Sequence, residues 1–348
     1  MRLRAVAVVA SLVLAGCEAP AATEPPISCA AGVAAGQGSS AQTNAVNAWI
    51  KAYQIACPDA AIEYTGSGSG AGVRAFLTGT GDFAGTDTPL NAADQQRADE
   101  RCGAGPAVHL PLVIGPIALA YNVAGLDGLR LTPPNIAKIF SGRITVWNDP
   151  AIAGDNTGTA LPATKIRIVH RSDSSGTTDN FLRYLTAAAP SDWTNGASGE
   201  WPLPGGIGQR GSHRVAAAIA RTDGAIGYVE SSYARVIDLP TARVGTPDGG
   251  FTLPTDHAAA RTIAAARVTG SEGDLRLEVD PAVAPGDAYP IVQVTYELVC
   301  RTAVPETARS FLAYAAGVAG QEAAERAGYA PLPDTLRDQV ARSIATLR

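Results

Sequence analysis

Between Ser39 and Ala56 the apolar side chains fall at Ala45, Val46, Trp49, Ile50 and Tyr53, the three- and four-residue spacing of a helix with one buried face. The polar run Gly36-Gln37-Gly38-Ser39-Ser40 precedes it, and Cys57-Pro58 ends it. Residues 61–65 predict a short strand running into the loop Gly66-Ser67-Gly68-Ser69-Gly70-Ala71-Gly72, with a helical segment over 73–77. The order repeats at residues 82–84, a strand followed by Gly85-Thr86-Asp87-Thr88-Pro89-Leu90 and a polar helix. Residues 109–122 are strongly apolar but contain Pro111, Gly115 and Pro116, which suits buried strands rather than a membrane helix.

The second half keeps the scheme. A helix over 132–140 starts at Pro133-Pro134, and a buried strand over 166–169 delivers the chain to Arg171. The loop Ser172-Asp173-Ser174-Ser175-Gly176-Thr177-Thr178 follows, then a helix from about Asp179 to Ala188 with Phe181, Leu182 and Leu185 on its inner face. Further strands are expected over 225–229 and 291–299, and helices over 258–266, 306–317 and 336–347. Strands alternating with helices imply an α/β fold with largely parallel sheets.

At 348 residues the chain has room for about two domains of roughly 150 residues each, and 46% hydrophobic content supplies the core for them. Charged residues make up 17% and the formal net charge is −5, so the basic excess of a nucleic-acid binder is missing.

The first residues read as an address. Arg2 and Arg4 precede an apolar stretch, Ala5 to Ala15, too short to span a membrane but suited to a signal-peptide core. It ends in Leu14-Ala15-Gly16-Cys17, which resembles the lipobox of bacterial lipoproteins, with Cys17 as the lipidated residue. Residues 1–16 are then a signal peptide and 17–29 a flexible tether rich in Pro, Ala and Thr, placing the globular part outside the cell but anchored to its membrane. The remaining cysteines, Cys29, Cys57, Cys102 and Cys300, are even in number in an exported chain, which implies two disulfides in one of three connectivities. No Cys-x-x-Cys or His-rich spacing suggests a metal site.

Three loops share one design: Gly38-Ser39-Ser40, the glycine run at 66–72, and Ser174-Ser175-Gly176-Thr177. Each sets glycine and hydroxyl residues at the start of a helix, where unpaired N–H groups, hydroxyl donors and the positive helix end suit a tetrahedral oxyanion. Singly, each is an ordinary cap. Three together, with Arg171 beside the last, point to a ligand. Gly66, Gly68 and Ala71 also fit a dinucleotide fingerprint, but no Gly-x-x-x-x-Gly-Lys loop supports nucleotide chemistry. A serine hydrolase would need Ser69 or Ser175 as nucleophile with His109, His170, His213 or His257 as base, yet neither serine lies in a Gly-x-Ser-x-Gly elbow.

The glycine run 66–72, Gly85-Thr86-Asp87-Thr88-Pro89-Leu90, the Arg171 loop and Gly224-Ala225-Ile226-Gly227-Tyr228-Val229-Glu230 together resemble the extracytoplasmic phosphate-binding proteins of bacterial phosphate ABC importers, over nearly the whole mature chain. The resemblance implies a type II periplasmic-binding-protein fold of two α/β lobes joined by crossover strands, with the ligand cleft between them. Lobe one would comprise 30–114 plus 290–348 and lobe two 115–289, and a Cys102–Cys300 bridge would sit within lobe one.

Carried over by position, Arg171 would bind phosphate oxygens through its guanidinium, while Ser175, Gly176 and Thr177 donate from a helix N-terminus. Asp173 would orient Arg171. Ser69 would be the hydroxyl donor of the glycine run, with Ser67 as its rival and the Gly70 amide in support. Ser40 and the Ala41 backbone N–H would complete the first loop. Asp87 would accept a proton that phosphate carries and sulfate lacks. No catalytic residue, metal or cofactor is implied. The implied partners are inorganic phosphate and the permease subunits of an ABC importer, the receptor itself acting as a monomer. Two alternatives remain, a secreted phosphoesterase using the same cleft and a receptor for another oxyanion.

Overall fold

The computed structural model describes residues 27–280 and 286–348. The signal peptide at 1–16, Cys17 and most of the tether lie outside the described residues.

Eight strands form one curled sheet in the order Ala60–Thr65, Gly32–Gly38, Phe83–Thr86, Val292–Cys300, Ala107–Asn122, Ala225–Glu230, Arg167–Arg171 and Ile207–Gln209. The three strands at one end pair in parallel, as do the three at the other. Val292–Cys300 and Ala107–Asn122 run antiparallel between them, so the sheet is mixed rather than largely parallel throughout. The apolar stretch expected to hold several strands is one strand of 16 residues. It pairs with Val292–Cys300 as far as Pro116 and with Ala225–Glu230 from Ile117 onward, passing from one half of the molecule to the other. Pro111 is accommodated at an irregularity in the register between Thr295 and Tyr296.

The predicted helices form, with shifted starts. The first is Thr43–Ala56, because residues 39–42 are a buried turn at the site. The helix expected from Asp179 begins at Gly176, capped by Ser175, whose Oγ accepts from the Thr178 amide at 3.2 Å. Gly32–Gly38, a central strand of one half, carries no strand signature in the sequence. Its selection is steric: Gly38 has φ +144°, and a Cβ there would lie 2.0 Å from the Gly85 carbonyl oxygen.

Disulfides join Cys29 to Cys57 and Cys102 to Cys300, the second tying the strand Val292–Cys300 to the helix Ala92–Cys102. Residues 271–277 pack against the strands Ala107–Asn122 and Val292–Cys300 and the helix Asp334–Ala345. The Leu275 amide donates to the His109 carbonyl, the Leu277 amide to the Tyr296 hydroxyl, and the Ser343 hydroxyl to the Gly273 carbonyl. Among the described residues no helix is long and apolar enough to cross a membrane.

Candidate functional site

The three loops converge where the two halves of the sheet face each other. Asp87 follows the strand Phe83–Thr86 and is 3% exposed. Ser39 Oγ donates to its Oδ1 at 2.5 Å and Thr295 Oγ1 to the same oxygen at 2.7 Å. Ser69 Oγ reaches Oδ2 at 3.1 Å and Thr177 Oγ1 at 3.5 Å. Burial pushes the Asp87 carboxyl up, against the pull of the Ser39 and Thr295 hydroxyls, the Arg171 charge and the Ser69 hydroxyl.

Across the cleft, Arg171 ends its strand fully surrounded. Its Nε and Nη2 grip the two carboxylate oxygens of Asp173 at 2.7 and 2.6 Å, a planar fork that leaves the remaining guanidinium N–H groups free to face a ligand. Burial acts to raise Asp173, but the Arg171 guanidinium and the Gly211 amide outweigh it and hold the carboxyl below its usual range. The helix Gly176–Ala188 points its N-terminus at Asp87. A Cβ on Gly176 would sit 2.5 Å from Asp87 Cβ and 2.8 Å from Ser69 Oγ, so only glycine lets these elements approach.

Bonds between the halves hold the cleft shut. The Gly70 amide donates to the Ser174 carbonyl at 3.2 Å, Asn180 Nδ2 to the Asp87 carbonyl at 2.8 Å, and Asn44 Nδ2 to Ser232 Oγ at 2.8 Å. Ser40 Oγ accepts from the Ser212 amide at 3.1 Å, and Tyr233 donates to the Ser40 carbonyl at 2.5 Å. Beside the cleft a groove of about 400 Å³, lined by Ser69, Arg74, Ser174, Gly176 and Arg183 among others, opens toward solvent.

Ser40, Ala41, Ser69, Asp87, Arg171, Ser175, Gly176 and Thr177 are therefore all buried in one place, with Asp173 paired to Arg171. Two backbone donors expected at a ligand have protein partners here: the Ala41 amide donates to Ser39 Oγ at 3.1 Å, and the Gly70 amide to Ser174. Ser67, the rival of Ser69, turns away toward Gln37 Oε1 at 3.4 Å. Ser39, Thr295, Asn180 and Ser212 are site neighbours the sequence reading did not assign. One signal was present for Thr295: Gln293, Thr295 and Glu297 place polar residues at every second position of an otherwise apolar, fully buried strand, so they share one face.

The hydrolase geometry does not assemble. His109 Nε2 accepts from the Leu90 amide at 3.0 Å, so Nδ1 carries the proton and donates to Asp274 at 2.7 Å, making this a core histidine. His170 faces the carbonyls of Arg171 and Gly205, while His213 and His257 are exposed. Among the described residues no group of His, Cys, Asp and Glu could hold a metal ion.

A closed cleft between two sheet halves, crossed by two long strands and lined by hydroxyls, helix N-termini and one buried arginine, defines a binding protein of the periplasmic solute-receptor type. Residues 23–318 match the PBP superfamily domain. The chain is 43% identical over 316 residues to the phosphate-binding protein PstS2 of Mycobacterium bovis (strain BCG / Pasteur 1173P2), covering 88% of this chain and 85% of that one. It is 33% identical over 305 residues to the phosphate-binding protein PstS of Xylella fastidiosa, with 85% and 80% covered. Among solved structures, a phosphate-binding protein from Stenotrophomonas maltophilia superposes with a TM-score of 0.72 at 22% identity, over 90% of this chain and 94% of the other. The chain belongs to the PBP superfamily and, within it, to the family of PstS phosphate-binding proteins.

Proposed function

We propose that this protein is a lipid-anchored receptor that binds inorganic phosphate in the closed cleft and hands it to the permease of an ABC importer. It performs no catalysis. The observation that carries the reading is the pairing of one acceptor with many donors: Asp87 stands among hydroxyls opposite Arg171 and the N-terminus of Gly176–Ala188. A carboxylate facing an anion repels it unless the anion brings a proton to share. Phosphate does so near neutral pH and sulfate does not. Sulfate would leave Asp87 an unpaired buried acceptor beside a like charge, a cost of several kcal/mol, about 10³-fold in affinity.

In this reading Arg171, Ser175, Gly176 and Thr177 donate from lobe two, and Ser40, Ala41 and Ser69 from lobe one, with 30–114 plus 290–348 and 115–289 as the approximate lobe boundaries. The placement of Ser69 on Asp87, with Ser67 on Gln37, favours Ser69 as the donor. Opening separates the bonds between the halves and exchanges ligand, with the crossing strands as the connection. The Leu14-Ala15-Gly16-Cys17 sequence supports acylation of Cys17, and the receptor acts as a monomer.

The test is a calorimetric titration of protein stripped of anion by reversible unfolding, together with a chromogenic phosphate ester. One phosphate bound per chain and no ester turnover are expected. Sustained turnover, or no phosphate binding, would refute the reading.

A further inference from the structure

Directly behind Asp87 lies a second carboxyl that the binding reading does not use. Glu297 sits two residues along the crossing strand from Thr295, on the same face, and is 1% exposed. Gln42 Nε2 donates to its Oε1 at 2.6 Å and also reaches the Tyr64 hydroxyl at 2.8 Å, which in turn donates to the Ser39 carbonyl at 2.9 Å. Gln42 closes the Ser39-Ser40-Ala41 turn at the N-cap of the helix Thr43–Ala56. Glu297 is thus tied, through one glutamine and one tyrosine, to the loop that supplies Ser39 to Asp87.

In this hydrogen-bonded pair two buried atoms, Gln42 Oε1 and Glu297 Oε2, have no hydrogen-bond partner among the described residues, and both are acceptors when Glu297 is ionised. Buried acceptors without donors are costly, and adjacent ones more so. A proton on Glu297 Oε2 turns that orphaned acceptor into a donor and removes a charge that has no counter-ion in reach. The groups facing Glu297 are Gln42, Tyr64 from the strand Ala60–Thr65, and Asp87, while the neighbouring strand places Leu110 opposite. None is a cation.

We propose that Glu297 is a positioning residue for phosphate binding: as the neutral acid it fixes Gln42 and the Ser39 turn, and it leaves Asp87 as the single negative charge facing the ligand. The assignment rests on the phosphate reading above. Burial, with the Asp87 charge beside it, pushes the Glu297 carboxyl up to about 8 against the Gln42 hydrogen bond. Tyr64 is driven upward as well, so it does not ionise in this range. Above pH 8 Glu297 ionises in the ligand-free protein, and a bound dianion must pull the proton back. Phosphate remains a dianion between pH 8 and 9.5, so the ligand contributes no titration of its own there.

The experiment measures phosphate affinity of the full chain between pH 7.5 and 9.5 for the wild type, Glu297→Gln and Glu297→Met. The wild type is expected to weaken with rising pH, at a limit of about tenfold per unit for one coupled proton. Glu297→Gln, which mimics the neutral acid, is expected to match wild type at pH 7.5 and to change less than about twofold across the range. Glu297→Met is expected to be equally flat but weaker throughout, because Gln42 loses its anchor. Glu230, also pushed up to about 8 on the same side of the crossing strands, is the competing source of a pH effect. A slope that persists in Glu297→Gln, or a wild type with no slope, overturns the proposal while leaving phosphate binding intact. No phosphate binding by wild type at pH 7.5 overturns both.

Discussion

Thr295 and Asp87 are 208 residues apart in sequence, yet Thr295 Oγ1 donates to Asp87 Oδ1 at 2.7 Å. The middle of the three polar residues on this buried strand therefore sits on the acceptor of the cleft. Thr295→Val keeps the shape and removes the donor. It is expected to weaken phosphate binding by about tenfold, and to move the acid limb of the affinity profile upward in pH because Asp87 loses one of the bonds that favour its ionised form. Titrations from pH 5 to 7.5 check both.

Gly176 separates binding from folding. It occupies the first position of its helix, where alanine is well tolerated, but the added methyl would meet Asp87 and Ser69 on the other side of the cleft. Gly176→Ala is expected to leave the unfolding free energy within about 0.5 kcal/mol of wild type while lowering phosphate affinity at least about a hundredfold. Small-angle scattering should show that added phosphate no longer compacts the variant. Full compaction with unchanged affinity would place the lobes differently from this structure.

Asp173 prepares Arg171. Its fork on Nε and Nη2 fixes which guanidinium edge faces the cleft. Asp173→Asn keeps one acceptor and loses the charge and half of the fork, so about a tenfold to hundredfold loss of phosphate affinity is expected. Arg171→Lys, which can hold a fork neither to Asp173 nor to the ligand, should lose at least as much.

Glu230 makes the stability of the fold depend on pH. Ser231, Ser232 and the strand Ala107–Asn122 enclose it, and burial pushes it up to about 8 despite hydrogen bonds from Ser232 and Ser231. A carboxyl with a raised folded-state value holds its proton after the unfolded chain has released one, so stability falls as pH rises from about 4.5 to 8 and levels off above. One such group contributes at most about 1.4 kcal/mol per pH unit. Denaturant unfolding of the phosphate-free protein from pH 5 to 8 should show that decline, and Glu230→Gln should remove about that much of its slope.

Most of the architecture was legible because hydrophobic periodicity reports burial directly, as at Trp49 and Tyr53 or along residues 109–122. What stayed hidden depends on close approach. The strand Gly32–Gly38 owes its place to backbone contact with Gly85, which propensity does not encode, and the helix Gly176–Ala188 starts three residues earlier than its apolar pattern because Ser175 caps it. The site loops were visible as glycine and hydroxyl clusters at helix starts. Their neighbours were less so: Thr295 shows only as one of three alternating polar residues on an apolar strand, and Asn180 and Ser212 are ordinary helix residues until the fold brings them to Asp87 and Ser40. The continuous crossing strand reads as several in the sequence because its two prolines and one glycine are breakers elsewhere, whereas here a register irregularity absorbs Pro111.

The central claim is that Asp87 makes the cleft choose a protonated anion. The most direct measurement is the ratio of phosphate to sulfate affinity for wild type and Asp87→Asn at pH 7, by calorimetry on anion-free protein. Wild type is expected to bind phosphate with no measurable sulfate response, and the variant to take sulfate within about tenfold of phosphate. An Asp87→Asn protein that excludes sulfate as fully as wild type would contradict it.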